Sequence, residues 1–279
     1  MRNPFAQAWA PHQNADPGHL RRIRELRWDE FAYNVWTGGD ALAQQYVDDI
    51  AAGDIYVLQR AIDPQWADAA VRDTRAWAAD APPSFHQMTE RCPNFHRIID
   101  ADATKSYSVE AVRHGWYVFP WNNPWEGTPE LRPAIAVWRT LKLFNGLDPE
   151  AFETNTPKDG TVDRMLFYQY PPGGGRLDAH TDPTNHHPIF MTAMLSTRGR
   201  DFTSGGLFAI GPDGTAVDLE DKLRCGDLVI GHAKVKHGVA PIDPDAPLDW
   251  SHPGGRWSLG LCSVDSDHVA ERVTAQRAA

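Results

Sequence analysis

The sequence predicts a mainly β fold with α additions: an antiparallel barrel or double-sheet jelly roll preceded by N-terminal helices. Over residues 19–79, apolar side chains recur every three or four positions, as in amphipathic helices. From residue 162 onward, short β-like runs alternate with turns rich in Gly, Pro and Asp, which is typical of antiparallel sheets. The sequence contains neither a Rossmann glycine fingerprint nor a phosphate-binding loop, so a parallel nucleotide-binding sheet is not expected.

The N-terminal part is predicted to be helical or irregular. The helices are expected over residues 18–36, 40–53, 64–80 and 129–147, with one strand over 54–61 (DIYVLQRA). The last of these helices ends at Gly146, which can provide a left-handed C-cap. Residues 80–130 are rich in Pro, Asn, Trp and charge, and we expect irregular segments or short strands around HGWYVFPWNNPW.

The C-terminal part is predicted to be a sheet of short strands. Strands are expected over residues 164–170, 188–196, 205–210, 215–219, 228–231, 237–242 and 256–264. Turn sequences such as PPGGG, GPDG, RCGD and PGG separate them. The close spacing favours an antiparallel arrangement over a parallel one.

Composition excludes some classes of partner. The chain has 27 Lys and Arg against 37 Asp and Glu, a formal charge of -10, so its average surface repels nucleic-acid phosphates and anionic membranes. Its three cysteines have no CxxC spacing, which suits a reducing compartment. No segment approaches the roughly 20 apolar residues that span a bilayer. We expect a soluble, cytoplasmic protein with no nucleic-acid or membrane partner.

The stretch RLDAHTDPTNHH, residues 176–187, suggests a metal site. His180 and Asp182 are two positions apart, so on a strand both side chains project from one face. A third ligand has to come from elsewhere, and the downstream candidates are His186, His187, His232, His237, His252 and His268. His237 opens HGVAPI and can reach across a small barrel, whereas the two histidines that follow Asp182 have the character of loop residues.

Two histidines and one carboxylate form the facial triad of non-haem Fe(II) oxygenases, whereas zinc usually has a fourth protein ligand or a tetrahedral site with water. Spacing alone leaves the metal open. Arg256 lies 19 residues beyond His237 and shares a strand face with Ser258. A guanidinium beside a hydroxyl is a good receptor for a planar carboxylate.

The segments YQYPPGGGRLDAHTD, GGLFAI, CGDLVIGHAKVKHGV and GGRWSLGL, in this order, resemble the Fe(II)- and 2-oxoglutarate-dependent dioxygenases. The resemblance covers residues 162–265 and implies a cupin-like double-stranded β-helix. We expect one catalytic domain over residues 1–279. Its parts are an N-terminal part (1–160) that packs on the barrel, a β-helix core that carries the metal (161–266) and a C-terminal tail (267–279).

The same resemblance implies the roles of individual residues. His180, Asp182 and His237 would be the iron ligands. The cosubstrate 2-oxoglutarate would chelate the iron, and its distal carboxylate would meet Arg256 and Ser258. Tyr170 matches the tyrosine of the family's YPP element, which helps to hold the cosubstrate, and Tyr168 is a second possibility for that contact.

The implied function is hydroxylation of an unactivated C–H bond of a small molecule, in specialised or amino-acid-related metabolism, with Fe(II), 2-oxoglutarate and O2. Within the same chemistry the alternatives are a protein or peptide hydroxylase, and desaturation, cyclisation or epimerisation of the substrate. Outside it, the alternatives are a cupin-like metal protein that binds a carboxylate ligand or hydrolyses with zinc, and an inactive scaffold.

The substrate end of the site is expected to involve residues 80–130 and the loops 183–187 and 198–204. The aromatic residues of the first segment are interpreted as core or lid packing; they are Trp116, Tyr117, Phe119, Trp121 and Trp125. Three arginines are candidates for binding an anionic substrate, although arginines are more often solvated or structural; they are Arg97, Arg113 and Arg164.

Overall fold

The computed structural model describes residues 3–122 and 130–278. In this part of the chain, five α-helices precede or flank a set of thirteen strands. The helices are α1 (Pro4–Trp9), α2 (Trp28–Thr37), α3 (Asp40–Ala51), α4 (Pro64–Ala79) and α5 (Arg132–Phe144). The strands are β1 (Arg22–Arg27), β2 (Asp54–Gln59), β3 (Phe95–Ile99), β4 (Ala111–Val118), β5 (Thr161–Tyr170), β6 (Gly175–Thr181), β7 (Ile189–Met194), β8 (Gly206–Ile210), β9 (Ala216–Asp218), β10 (Leu228–His232), β11 (His237–Ile242), β12 (Arg256–Asp265) and β13 (Gln276–Arg277).

The strands form a major and a minor sheet that share β4. The major sheet has the order β1-β2-β10-β7-β12-β5-β4-β3, and the minor sheet has the order β6-β11-β8-β9, with β13 added beside β6. Strand β4 pairs with β5 through His114–Val118 and with β6 through Ala111 and Val112. Every pair is antiparallel except β1 with β2. The mainly β, jelly-roll fold predicted from the sequence is thereby confirmed.

The prediction of one helix over residues 18–36 is wrong in its first half. Arg22–Arg27 is a strand that pairs in parallel with β2, and the helix begins only at Trp28. The Nε atoms of Arg21 and Arg24 donate to the two carboxylate oxygens of Asp54, which is fully buried at the start of β2. Because the burial of a carboxylate requires partners of this kind, the arginines are held beside β2 in an extended segment.

The remaining predicted helices and the strand over 54–61 are confirmed within a few residues at their ends. The predicted C-cap at Gly146 is present, with φ of 81°. The Gly146 N–H donates to the carbonyl of Leu143, and the N–H of Leu147 donates to that of Lys142, which is a Schellman motif. A Cβ at Gly146 would lie 2.8 Å from the Cα of Ala6, so the glycine also allows α1 to approach.

The helices cover the outer face of the major sheet. Phe31, Ile50 and Leu141 of three helices share one apolar core with outward-facing strand residues such as Phe167 and Trp257. Because side chains alternate along a strand, the opposite face of β5 and β12 is left for the interior of the barrel. The helices thus form a rigid backing for that inner face.

The aromatic residues around residue 116 belong mainly to the packing. Trp116 is buried and stacks on Trp257 with ring centroids 5.0 Å apart, and Tyr117 and Phe119 are buried in a neighbouring apolar cluster that Trp121 covers. These four agree with the core interpretation, and the predicted role of Trp125 lies outside the described residues. Within the described ranges, no helix is long and apolar enough to cross a membrane.

Candidate metal centre and its cavity

Three residues predicted as metal ligands lie together on the inner face of the minor sheet. His180 near the end of β6 and His237 at the start of β11 are direct cross-strand partners. Asp182 follows β6 immediately, and ligand atoms of the three side chains all lie within 4.8 Å of one another. Each carboxylate oxygen of Asp182 is 3.5 Å from one histidine Nε2. A single cation between them would meet two imidazoles and one carboxylate.

The ring orientation of both histidines suits metal binding. Nδ1 of His180 is 2.9 Å from the carbonyl oxygen of Asp178, and Nδ1 of His237 is 2.9 Å from that of Val235. Because a carbonyl oxygen can only accept, each Nδ1 carries the proton and each Nε2 presents a lone pair. The two lone pairs converge on the carboxylate of Asp182.

The carboxylate is held and ionised. Burial by itself would raise the pKa of the Asp182 carboxyl, but in the metal-free protein His180 and His237, when they are protonated at Nε2 as well, donate to the carboxylate and hold that pKa well below its ordinary value. A metal would replace these Nε2 protons. The backbone N–H of Asp182 donates to the carbonyl of Ala233, and the ring of Phe190 stacks on His237 at 4.1 Å between centroids. These contacts fix the geometry of the ligand set before a metal arrives.

The other histidines near the cluster have different partners. His186 is 2.6 Å from a carboxylate oxygen of Asp265, and His187 contacts the carbonyl oxygen of Ile189 through its Nδ1. His232 is buried against Trp9, and burial lowers its pKa to about 4. Among the described residues, none of these histidines belongs to the three-residue ligand group.

The ligand cluster opens into a cavity of about 530 Å³ between the two sheets. Its walls include residues of β5, β6, β7, β11 and β12, together with Ser106–Val109 and the loop that contains Pro183, Asn185, His186 and His187. Of the segments predicted to form the substrate end of the site, 80–130 and 183–187 thus contribute residues to the cavity wall. Residues 198–204 are not among the described residues that line it.

The C-terminal segment also lines the cavity, which sequence reasoning missed. Arg272, Val273, Thr274 and Ala275 form part of the wall, and β13 then pairs with the metal-bearing strand β6. The hydroxyl of Ser108 donates to the carbonyl of Ala275 at 3.0 Å. The segment therefore runs from the end of β12 in the major sheet to β6 in the minor sheet and lines the cavity on the way.

The residues predicted to hold a cosubstrate lie on two neighbouring strands of the major sheet. Arg256 is directly opposite Tyr170, and Ser258 is directly opposite Tyr168. Side chains of such cross-strand partners share one face, and all four line the cavity. The Arg256 guanidinium carbon lies 5.7 Å from the ring centre of Tyr170. The cavity thus joins a metal-ligand set on one sheet to an arginine on the other.

Glu220 is a further residue of this site that the sequence did not reveal. Its Oε2 accepts from the Nε of Arg256 at 2.8 Å and from the N–H of Leu207 at 2.6 Å, and both Glu220 and Arg256 are only 1% exposed. A Cβ at residue 206 would lie 2.5 Å from the Glu220 side chain, so Gly206 makes room for it. Glu220 fixes one edge of the guanidinium, and Nη2 of Arg256 lies 3.1 Å from the Sδ of Met194, a weak acceptor that a carboxylate could replace.

Comparison with known proteins relates the fold to solved structures. No known family model matches the sequence, and no curated protein is significantly similar to it. A prolyl hydroxylase from Trichoplax adhaerens, solved with a hypoxia inducible factor peptide fragment, is 12% identical, with 81% of this chain and 90% of that chain covered and a TM-score of 0.50. JOX2, solved with 2OG, Fe and JA, is 11% identical, with 98% and 86% covered and a TM-score of 0.50.

A prolyl-4-hydroxylase from Pseudomonas putida also matches, at 15% identity with 85% of this chain and 100% of that chain covered and a TM-score of 0.47. On the two matches with a TM-score of 0.50, the chain shares the fold of the Trichoplax prolyl hydroxylase and of JOX2. This confirms, for the fold, the double-stranded β-helix that the sequence resemblance implies.

Proposed function

We propose that the protein is a non-haem Fe(II)- and 2-oxoglutarate-dependent oxygenase that hydroxylates an unactivated C–H bond of a small molecule. One observation carries the proposal: the His180, Asp182 and His237 cluster opens into the same cavity as the buried, oriented guanidinium of Arg256. A metal at the cluster and a cation across the cavity suit a ligand with a chelating end and a distal carboxylate. 2-Oxoglutarate is such a ligand.

The chain's own residues would hold and orient the reactants. His180, Asp182 and His237 would bind the metal on one side and leave the opposite side for cosubstrate and oxygen. Arg256 would bind the distal carboxylate through its terminal nitrogens, with the hydroxyl of Ser258 as a further donor and Tyr170 beside it. Bound iron and 2-oxoglutarate supply the oxidising power, so these residues contribute coordination and aim.

A small-molecule substrate is supported by how the cavity is covered. The C-terminal segment lines part of the cavity and is attached to Ser108 and to β6, which leaves less of the wall open to an extended peptide. Of the similar solved structures, JOX2 is bound to JA, whereas the Trichoplax prolyl hydroxylase is bound to a peptide.

The three free cysteines and the net charge of -10 support a cytoplasmic protein with no nucleic-acid partner.

Anaerobic titration tests the proposal directly. Fe(II) and 2-oxoglutarate are added in turn to metal-free protein, and the weak visible charge-transfer absorption of the chelate is recorded. Its appearance, followed in air by formation of succinate from 2-oxoglutarate, is the expected result. Iron binding without any response to 2-oxoglutarate would contradict the proposal. Product analysis with candidate substrates then separates hydroxylation from desaturation, cyclisation or epimerisation, and small molecules from peptides.

The donor set of the cluster also fits zinc, because catalytic zinc sites use three protein ligands and a water. A cupin-like protein that binds a carboxylate ligand, or hydrolyses with zinc, is therefore the second candidate. In that case zinc is retained through purification, and 2-oxoglutarate is not consumed with any metal.

The first residue-level prediction concerns Arg256. Arg256→Lys keeps the positive charge but removes the paired donors. We expect the dissociation constant of 2-oxoglutarate to rise about tenfold or more, since a hydrogen bond to a charged group contributes about 1.5–3 kcal/mol. Calorimetric titration of the Mn(II)-loaded protein measures this, with Arg72→Lys on the exposed face of α4 as the control. An unchanged constant would place the carboxylate elsewhere.

A second prediction concerns Glu220. Glu220→Gln keeps an oxygen that can accept from Leu207 and Arg256 but removes the negative charge. We expect the ligand-free protein to lose about 3 kcal/mol of unfolding free energy, because a buried guanidinium is left uncompensated. We also expect tighter binding of 2-oxoglutarate, whose carboxylate then provides the counter-charge.

Denaturant unfolding and 2-oxoglutarate titration measure the two effects of Glu220→Gln. Asp221→Asn is the control, since the side chain of Asp221 is exposed one residue further along. Weaker binding of 2-oxoglutarate to Glu220→Gln would mean that the charge of Glu220 is needed to position the guanidinium.

A further inference from the structure

Two arginines in the cavity wall lack a counter-charge. Arg113 of β4 and Arg164 of β5 both line the cavity. The Nε atom of each is buried without a hydrogen-bond partner, and neither forms an ion pair with any residue that the structure describes. Burying a guanidinium without a partner is costly, so such groups are retained where something else provides the negative charge.

Both arginines lie close to a pair of adjoining tyrosine rings. The guanidinium carbon of Arg113 lies 4.1 Å from the ring centre of Tyr168, and that of Arg164 lies 5.7 Å from the ring centre of Tyr117. A Cβ at Gly115 would lie within 3.3 Å of both tyrosine rings, so the rings adjoin one another. The two positive charges therefore belong to one region of the cavity, next to Tyr168.

Acidic groups of the described cavity wall are already engaged elsewhere. Asp182 belongs to the metal cluster, and Asp265 accepts from His186 and Asn185. The wall's other two arginines have acidic partners from outside the lining: Arg256 pairs with Glu220, and Arg272 pairs with Asp267.

Neutral groups nearby do not supply the charge either. Burial raises the pKa of the Cys262 thiol to about 11, so it stays protonated at neutral pH. Burial likewise raises the pKa of the Tyr168 phenol, although the charges of Arg113 and Arg164 oppose the shift. Arg97, the third arginine considered from the sequence, stacks on Phe85 and Tyr107 instead. Arg113 and Arg164 are thus left with net positive charge.

We propose that the substrate carries an oxyanion, a carboxylate or a phosphate, which Arg113 and Arg164 bind beside Tyr168. The inference rests on the proposed function, in which both carboxylates of 2-oxoglutarate are accounted for by the metal and by Arg256. The apolar part of the substrate then lies against neighbouring wall residues such as Leu166 and Met88. Anchoring at this pair of arginines fixes which C–H bond faces the metal centre.

The test uses defined probes on the Mn(II)- and 2-oxoglutarate-loaded protein. Aryl and straight-chain carboxylates, their primary amides and phenyl phosphate are titrated by calorimetry, while bound 2-oxoglutarate is monitored in parallel. We expect at least one anion to bind without displacing 2-oxoglutarate, and its amide or neutral counterpart to bind at least tenfold more weakly. The preferred anion distinguishes carboxylate from phosphate. Equal binding of acids and amides, displacement of 2-oxoglutarate, or no anion binding would overturn the inference.

Variants locate the binding site. Arg113→Gln and Arg164→Gln are each expected to weaken anion binding at least tenfold, and the corresponding Lys variants to weaken it less, since they keep the charge. Affinity for 2-oxoglutarate is expected to change less than twofold, as in the control Arg72→Gln. An equal loss of 2-oxoglutarate affinity would assign both arginines to the cosubstrate instead, and full anion binding by both Gln variants would also refute the site.

The first titration separates this inference from the proposed function. Uptake of 2-oxoglutarate by the Mn(II)-loaded protein tests the function alone, before any probe is added. Protein that binds 2-oxoglutarate but does not distinguish acids from amides retains the function and loses the anion site.

Discussion

Asp182→Ala is expected to abolish turnover and to lower the affinity for the metal by more than ~100-fold. Removing a residue that only hydrogen-bonds to a metal ligand already lowers metal affinity ~10–100-fold, and Asp182 is itself a proposed ligand. The carboxylate is the only negatively charged member of the cluster, and its two oxygens face the two histidine Nε2 atoms at 3.5 Å. Without it, the two imidazoles offer a divalent cation neither a third ligand nor a compensating charge. His180→Ala is expected to have the same effect on turnover.

The fold of Asp182→Ala should survive, because the residue's structural contact is made by its backbone. The N–H of Asp182 donates to the carbonyl of Ala233, and the variant keeps that bond. We expect the metal-free protein to lose no more than about 3 kcal/mol of unfolding free energy, because the depressed pKa of the Asp182 carboxyl means that its charged form contributes to folding stability. Mn(II), which raises the melting temperature of a protein that binds it, should no longer do so.

Thermal melting with and without Mn(II), together with assay of 2-oxoglutarate consumption, checks both statements. Asp68→Ala on the exposed face of α4 removes a carboxylate far from the cavity wall and serves as the control. If Asp182→Ala still bound Mn(II) and still consumed 2-oxoglutarate, the assignment of the metal site would be wrong.

The central part of the site was predictable because strand geometry converts sequence spacing into position. His180 and Asp182 are two residues apart, as are Arg256 and Ser258, and each pair projects from one face of its strand or strand end. The pairing of His180 with His237 across two strands depends on the sheet order, which residue spacing alone does not determine. The resemblance of the motifs to a known family supplied that step.

Residues that act through tertiary contacts carry no comparable pattern. Glu220 lies between Asp218 and Asp221, and nothing in the sequence shows which of the three acids meets Arg256. Strand β1 was likewise not predictable from residue spacing, because Ile23 and Leu26 have the three-residue spacing of a helix face. Its true conformation depends on pairing with β2 and on Asp54, whose burial only the fold reveals.

The C-terminal segment was overlooked for a different reason. It was predicted as a tail, but β13 pairs with β6 and the residues before it line the cavity. Its attachment uses mainly backbone groups, such as the Ala275 carbonyl and the N–H of Ala278, which donates to the carbonyl of Ala179. Backbone hydrogen bonds are available to almost any sequence, so hydrophobic periodicity does not mark them.

A buried ion pair between Lys142 and Asp163 lies at β5, the strand that also carries Arg164, Tyr168 and Tyr170. Breaking this ion pair is expected to have the largest effect on the free energy of unfolding. Lys142 of α5 donates to Asp163 of β5 and to the carbonyl of Ala151, and it lies over the ring of Trp138. Both members of the pair are at most 3% exposed. Lys142→Met is expected to cost about 3–5 kcal/mol at pH 8, because the Asp163 carboxylate is left buried and unpaired.

The loss should depend on pH in a defined direction. Burial raises the pKa of Asp163 to about 6 even though Lys142 opposes the shift, and without Lys142 that pKa rises further. A carboxyl with a raised folded-state pKa binds more protons in the folded than in the unfolded protein, so stability falls as pH rises from about 4 through the folded pKa. Lys142→Met should therefore be markedly less destabilised at pH 5, where Asp163 is protonated, than at pH 8.

Urea denaturation at pH 5 and pH 8 measures this dependence, and the double variant Lys142→Met with Asp163→Asn is the matched control. Asn keeps an oxygen that can accept from the hydroxyl of Ser263, which donates to Asp163 at 2.8 Å, but it carries no charge. The double variant should recover most of the loss at pH 8 and show little difference between the two pH values. A single variant that loses the same free energy at both pH values would mean that lost packing around Trp138, rather than an uncompensated charge, accounts for the effect.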